Sequence, residues 1–575
     1  MRKLRNGTAR AATVPVPVAG SPTAGGPTAA EGPVAAVAAV LTAALILSFL
    51  ILGSMPRASA DSKPVNPNDP RTPVTVTADA LPTVQVDGVV WQQAIIGNTV
   101  YAVGSFGTAR PAGAAPGAQT VPRKNILAFN LQTGALIPGF APTLNAQGLT
   151  VTPSPDKSRL YVGGDFTSVS GQTRNRIVAL DPGTGAVIAG FAPKVNGSVR
   201  AIVTSGTTVY VGGNFTTVGT TARNRLAAMN STNGVLSDWK PNAQGGKVNA
   251  LVLSPDNKKI VAGGHFTSLN GSAKPGYGLG GLDAVTGANL ATPVNDVVRN
   301  AGDSSAITSL TTDGTNWYGT GYDFGGTGNF EGSFSGLWTT LGIKWLEDCH
   351  GDSYSIFAGS TANYLVGHPH YCGNLGGFPD TNPQSWHRAL AFGREPTRTL
   401  IKDTHGYPSF TGQPSPELLV WFPDLDTGTA TGQGQGPWTV TGNSQYVVMG
   451  GEFLNVNFKG QQGLVRFALS SIAPNKEGPR SSADSINPSP SSPATGQIRV
   501  RWQSNWDRDN ANLTYQVFRD GVVVNTQAKS TTFWNRPTLE FLDIVAPGST
   551  HSYRIVVKDP FGNAKSSTTV SFKAK

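Results

Sequence analysis

The stretch Leu160–Asp181, LYVGGDFTSVSGQTRNRIVALD, decides the fold of this chain. It opens as a strand, dips into Gly163 and Gly164, places a polar residue and an aromatic at Asp165 and Phe166, and crosses a polar loop. A second apolar strand then ends on Asp181. The same pattern returns as VYVGGNFTTVGTTARNRLAAMN at Val209–Asn230, and more loosely as VAGGHFTSLN from Val261 and VVMGGEFLNV from Val447. One such unit has two half-buried strands and no second layer. It cannot bury its apolar face alone, so copies must stack on one another.

Outward from this stretch, the Gly-x-aromatic signature falls at Phe106, Phe166, Phe215, Phe266, Phe324 and Phe453, with a degenerate copy in VGHPHY from Val366. The first five are separated by 60, 49, 51 and 58 residues, near the length of a four-stranded propeller blade. Each unit divides into a short apolar strand, the Gly-Gly strand, the Arg-Asn-Arg strand and a fourth strand before an aromatic-x-Pro corner. Those corners are Phe140-Ala141-Pro142, Phe191-Ala192-Pro193 and Trp239-Lys240-Pro241. The turns SPDK at Ser154 and SPDN at Ser254 close the first hairpins. The last unit has three strands, and an orphan strand near Thr83–Val86 is expected to complete it, leaving no open edge.

The fold class expected is therefore all-β: a seven-bladed β-propeller over residues 73–470, a linker over 471–492, and an immunoglobulin-like β-sandwich over 493–575. The sandwich reading rests on the Trp502 and Tyr515 strands and on Tyr553 six residues after Pro547. That spacing suits a tyrosine corner whose hydroxyl returns to nearby backbone.

Residues 1–60 read as an export segment: MRKLR, a Pro/Ala/Gly-rich spacer, an apolar run from Val34 to Gly53, and Ala58-Ser59-Ala60 before a cleavage site. Cleavage after Ala60 is the favoured reading, and an uncleaved signal anchor is its rival. Either way, 61–72 is a leader and the rest lies outside the cytoplasm, secreted or at the cell surface. The only membrane contact expected is through the N-terminal segment, if it stays uncleaved. The formal charge of +10 is terminal: +4 in residues 1–60 and +5 in 471–575, with +1 between. No aromatic-interleaved basic stripe is present, so nucleic acid is not an expected partner.

The repeat and its RNR strands resemble the delta-60-type β-propeller repeats of secreted bacterial proteins, and the C-terminal segment resembles a fibronectin type III domain. The resemblance spans about residues 73–575. It implies fold and export and is poor for activity, since such proteins mostly lack an assigned one. Units five and six depart from the pattern.

Any particular chemistry is expected in those departures. Cys349 and Cys372 are the only cysteines and, in an exported chain, are expected to form a disulfide. Around them His350, Asp352, His368, His370, Tyr371, Trp386 and His387 are the candidate binding residues, on the face that carries most long insertions. Gly393–Ser415 is expected on the opposite face. No cofactor is expected; a zinc or calcium site among these His, Cys and Asp residues is the alternative. Asp165, Asp323 and Glu452 follow the Gly pairs and are weak candidates for a catalytic carboxylate pair.

The function expected is a non-enzymatic binding or surface-architecture protein whose partner is an extracellular glycan or surface protein. An extracellular glycoside hydrolase or lyase is the alternative, and a purely structural wall or adhesion component is a third reading.

Overall fold

The computed structural model describes residues 74–575. The expected export segment (1–60) and leader (61–72) lie outside the described residues. The regular elements described are almost all strands, with the short helix Val294–Val297 and two 3-10 turns, Gly373–Leu375 and Asp484–Ile486. Among the described residues no helix is long and apolar enough to cross a membrane.

The quoted repeat folds as expected. Gly148–Pro153, Leu160–Gly164 and Ile177–Leu180 form one antiparallel sheet in that order. A bridge from Leu180 to Val187 adds a fourth edge. Val89–Ile96, Thr99–Ser105 and Ile126–Asn130 repeat it, as do Val199–Thr204, Thr208–Gly213 and Leu226–Asn230. Further along, the sheets that begin with Val248–Leu253, Ser305–Thr312 and Ser353–Ala358 have four full strands, and that of Pro437–Gly442 has three. The first strands adjoin one another in chain order, and Pro437–Gly442 adjoins Val89–Ile96. The inner strands thus close on themselves in a propeller-like domain.

The two glycines of the motif have separate reasons. A Cβ at Gly163 would stand 2.6 Å from Val199 Cγ1 on the next sheet, and one at Gly212 or Gly263 would meet Val248 or Ile307 equally closely. At Gly450 the obstacle is Val90, the first sheet meeting the last. Once the sizes are exchanged: the large residue Val103 faces Gly148, whose Cβ would lie 2.8 Å from Val103 Cβ. The second glycine abuts backbone instead, with a Cβ on Gly164 only 2.3 Å from the Gln147 carbonyl. Interiors this dense accept no extra methyl without movement.

Tyr101, Tyr161 and Tyr210 carry the joint outward. Each ring meets the corner aromatic of its own unit edge-on, Phe140, Phe191 and Trp239, at 5.1 to 5.2 Å between centroids. Each hydroxyl then donates to a carbonyl of the following unit: Pro182, Ser231 and Ala284. Phe106, Phe166, Phe215, Phe266 and Phe453 are buried, whereas Phe324 is 82% exposed. In that unit the buried aromatic is Phe330, packed on Phe334 and Phe410, because a glycine-rich loop separates it from the strand end.

The strand that completes the last sheet is not Thr83–Val86. Thr77 and Leu81 donate their N–H groups to the carbonyls of Ala468 and Arg466. Gln85–Val86 pairs with Thr108–Arg110 in a separate small sheet. Pro82, which has no N–H, stands between the two pairings, and its carbonyl accepts from the buried Arg466 guanidinium.

The C-terminal residues form two sheets. One orders Ser489–Ser491, Gln497–Gln503 and Thr538–Ile544; the other orders Val522–Ser530, Asn512–Arg519, Thr550–Lys558 and Ala564–Ser566, with Val570–Lys573 also on Thr550–Lys558. Trp502, Tyr515, Val517, Tyr553 and Ile555 fill the space between them. The Tyr553 hydroxyl donates to Asp543 Oδ2 at 2.7 Å rather than to backbone.

This unit is fastened to the first. Phe533 and Trp534 pack against Phe378 and Phe422. Fully buried Arg508 pairs with Asp424 and Glu477. Residues 471–492 are held too, since the N–H groups of Lys476 and Glu477 donate to Asp79.

Candidate functional site

Where the first strands converge there is a cavity of about 550 Å³. Its construction follows from one recurrent irregularity. In every first strand the ladder skips a residue opposite the Gly-Gly strand, between Val90 and Gln92, Gly148 and Thr150, Val199 and Ala201, Val248 and Ala250, Ile307 and Ser309, Ser353 and Ser355, and Pro437 and Thr439. The skipped residues are Trp91, Leu149, Arg200, Asn249, Thr308, Tyr354 and Trp438, and all of them line the cavity. A bulge leaves its extra residue unpaired and re-aims the side chain. Here each sheet turns one side chain inward.

The wall is chemically two-sided. On one side Trp438 stands between Trp91, at 5.2 Å, and Tyr354, at 4.2 Å. Trp91 donates its indole N–H to Gln147 at 2.8 Å, and Trp438 donates its own to Glu452 at 3.2 Å. The Tyr354 hydroxyl donates to Asp352 at 3.1 Å and lies 3.2 Å from His368 Nδ1, which is also 2.9 Å from Gln435 Oε1. Burial, with Asp352 beside it, holds the Tyr354 hydroxyl protonated far above its usual range. On the other side are Arg200, Lys247 and His265. Burial, then the Lys247 charge, pushes the His265 imidazole down to about 4, so it is neutral near pH 7.

The residues expected from sequence are distributed differently. Asp352 lines the cavity, its carboxyl pushed up by burial, and His368 supports Tyr354. Asp165 accepts from Gln147 and Ser198. Asp323 sits one position beyond the register of the other polar residues, which here is Tyr322, and accepts from the Gly328 N–H. Glu452 is buried and accepts from Thr431 N, Thr431 Oγ1 and Trp438. Asp165, Asp323 and Glu452 therefore follow strands of three separate sheets.

Cys349 and Cys372 are joined in a disulfide, both fully buried. Closing a 23-residue separation stabilises by roughly 3 kcal/mol in the chain-entropy picture. Beside it His350 is layered between Tyr371 and Tyr407, with Nε2 2.9 Å from Asp403. His370 is buried near Asp380. Tyr407 and Asp403 belong to the Gly393–Ser415 segment, so that insertion reaches the cysteine–histidine stretch rather than the opposite face. Its Ile401 N–H donates to Asn374 there, which anchors it.

His387 is stacked on Phe533 at 4.5 Å, under the C-terminal unit, and burial pushes it down to about 4. Trp386 is 46% exposed, its ring facing the Arg388 guanidinium. Among the described residues no group of three or more His, Cys, Asp or Glu is arranged to hold a metal ion.

Trp91, Arg200, Lys247, Tyr354 and Trp438 escaped the sequence reading. A signal for all of these but Lys247 exists: aligning the repeats internally exposes one column reading Trp, Leu, Arg, Asn, Thr, Tyr, Trp within a recurring frame.

An all-β chain whose inner strands close around such a cavity is a protein of the propeller type. Its residues 158–186 match the model of a β-propeller domain of unknown function, DUF5122. No curated protein matches the chain. Similar solved structures include the computationally designed protein Ika8, at 14% identity and TM-score 0.34, covering 84% of this chain and 98% of that one. Another is the mitotic checkpoint complex, at 10% and 0.36, covering 71% and 98%. A third is the extracellular domain of a one-component system from B. thetaiotaomicron, at 7% and 0.35, covering 87% and 58%. Likeness this distant says nothing of what this chain binds.

Proposed function

We propose that this is an exported binding protein that holds an extracellular glycan in its central cavity. In this reading the chain is a seven-bladed propeller of delta-60-type repeats, with a fibronectin type III domain fixed to its side. The order of the C-terminal strands, first-second-fifth against fourth-third-sixth-seventh, supports that domain type. The buried disulfide and the signal-like residues 1–60 support secretion or surface display.

One observation carries the reading. The cavity joins the aromatic faces of Trp91, Tyr354 and Trp438 to the amides of Gln92, Gln147, Gln433 and Gln435. Stacking faces beside convergent donors and acceptors suit a sugar ring with its hydroxyls, and about 550 Å³ is of ligand size. Binding of the full chain to a glycan array tests it. Trp438→Ala is expected to weaken the captured glycan at least tenfold in a chain that remains folded. Binding that survives Trp438→Ala and is lost in Trp386→Ala would put the site outside the cavity.

A second reading, a glycoside hydrolase or lyase, would draw on Glu331, whose Oε2 accepts at 3.0 Å from the N–H of Gly351, the residue before the cavity-lining Asp352. Burial first, and then the charges of Asp352 and Asp323, push the Glu331 carboxyl up to about 7, in the range of a general acid. Turnover in a glycosidase panel, abolished by Glu331→Gln, would replace binding by catalysis.

A further inference from the structure

Arg200 and Lys247 stand on neighbouring first strands, Arg200 as the bulged residue of Val199–Thr204 and Lys247 just before Val248–Leu253. Both line the cavity. Among the described residues neither side chain makes a hydrogen bond or an ion pair, and Arg200 Nε is buried without a partner. The nearby carboxylates do not serve them. Asp165 is taken by Gln147 and Ser198, and Asp303 is exposed with no ion pair to Lys247. Desolvation lowers the pKa of both cations, and Arg200 lowers that of Lys247 further.

Two cations kept close and unpaired in a half-closed site raise the energy of the empty protein. An oxyanion between them removes that cost, and a guanidinium edge fits a planar carboxylate with two parallel hydrogen bonds.

We propose that the cavity takes an acidic saccharide, whose carboxylate or other oxyanion is bound by Arg200 and Lys247 while its ring lies on the Trp91, Tyr354 and Trp438 side. This rests on the reading of the cavity as a saccharide site. His265 fits the same ligand. Its Nδ1 donates to the Gly302 carbonyl at 2.8 Å, which leaves Nε2 as an acceptor for a sugar hydroxyl.

Trp91 and Trp438 serve as intrinsic reporters. Their fluorescence would be titrated in the full chain with uronic-acid oligosaccharides and with sulfated ones, each beside its methyl-esterified or desulfated counterpart. The expected result is binding of an acidic member at least tenfold tighter than its neutral counterpart, weakening as sodium chloride rises. Arg200→Gln should lower that affinity at least tenfold and Arg200→Lys less, with the Tm of the empty chain unchanged or raised by Arg200→Gln. A uronate that binds identifies the oxyanion as carboxylate; a sulfated sugar alone identifies it as sulfate.

Equal affinity for charged and neutral partners, or indifference to both Arg200→Gln and Lys247→Gln, overturns the inference while leaving the saccharide reading in place if Trp438→Ala still weakens binding. No saccharide bound, acidic or neutral, overturns both.

Discussion

The N–H of Leu81 donates to the carbonyl of Arg466 at 2.8 Å, joining the two ends of the propeller-like domain. The Arg466 side chain then ties three segments together. It donates to the carbonyls of Leu131, Gln132 and Pro82 and to Thr83 Oγ1. Burial lowers its pKa to about 10, still high enough to keep it charged.

Closure is thus concentrated in a few residues. Arg466→Leu leaves several buried carbonyls without a donor, at a cost of roughly 1 to 3 kcal/mol for each one that water cannot reach. Denaturant unfolding is expected to show a loss of about 3 kcal/mol or more. Removing residues up to 81 should cost far more stability than removing residues up to 73. Equal midpoints for the two truncations would mean that the ends are held elsewhere.

The exchanged pair Val103 and Gly148 predicts a rescue. Gly163→Val places methyl groups against Val199 and should destabilise by about 1 to 3 kcal/mol. Val199→Gly alone leaves a hole and also costs stability. Together they approach the arrangement found at Val103 and Gly148, with Thr150 Cγ2, 2.7 Å from the added Cβ, as the contact that remains, so the double variant should lose less stability than the two single losses combined. Simple additivity in a double-mutant cycle would show that the sheets do not interlock there.

Glu347 makes stability depend on pH. Its buried carboxyl accepts from Ser333 N, Ser333 Oγ and Cys349 N, yet burial dominates and pushes it from 4.5 to about 7. The folded state therefore keeps a proton that the unfolded chain releases. This contribution is fully present below about pH 4.5 and is lost as pH rises through 7, by on the order of 3 kcal/mol at most. In Glu347→Gln the change in Tm between pH 5 and pH 8 should shift toward greater stability at pH 8 relative to the parent. An identical pH profile in both proteins would refute it.

Much of the fold was legible in the repeat. The Gly pair, the aromatic after it and the aromatic-x-Pro corner lie within one unit, and local period and turn chemistry suffice to read them. Thr83–Val86 was misplaced because alternating valines fit any sheet edge, and only the partner strand distinguishes one edge from another. Asp323 and Phe324 were misaligned because Tyr322 takes the register position after Gly321 that a polar residue holds in the other units, which moves both one place along. His387 and Trp386 are adjacent in sequence, but the C-terminal unit covers the first and leaves the second exposed.

By itself the sequence determined the all-β repeat, the disulfide-ready cysteine pair and the stacking of units, since these follow from patterns spanning fewer than about sixty residues. Only the tertiary structure decided the site. Trp91 and Trp438 lie at opposite ends of the domain in sequence and stand 5.2 Å apart in space. A bulge aims each side chain inward, and closure of the ring makes neighbours of strands that no local pattern connects.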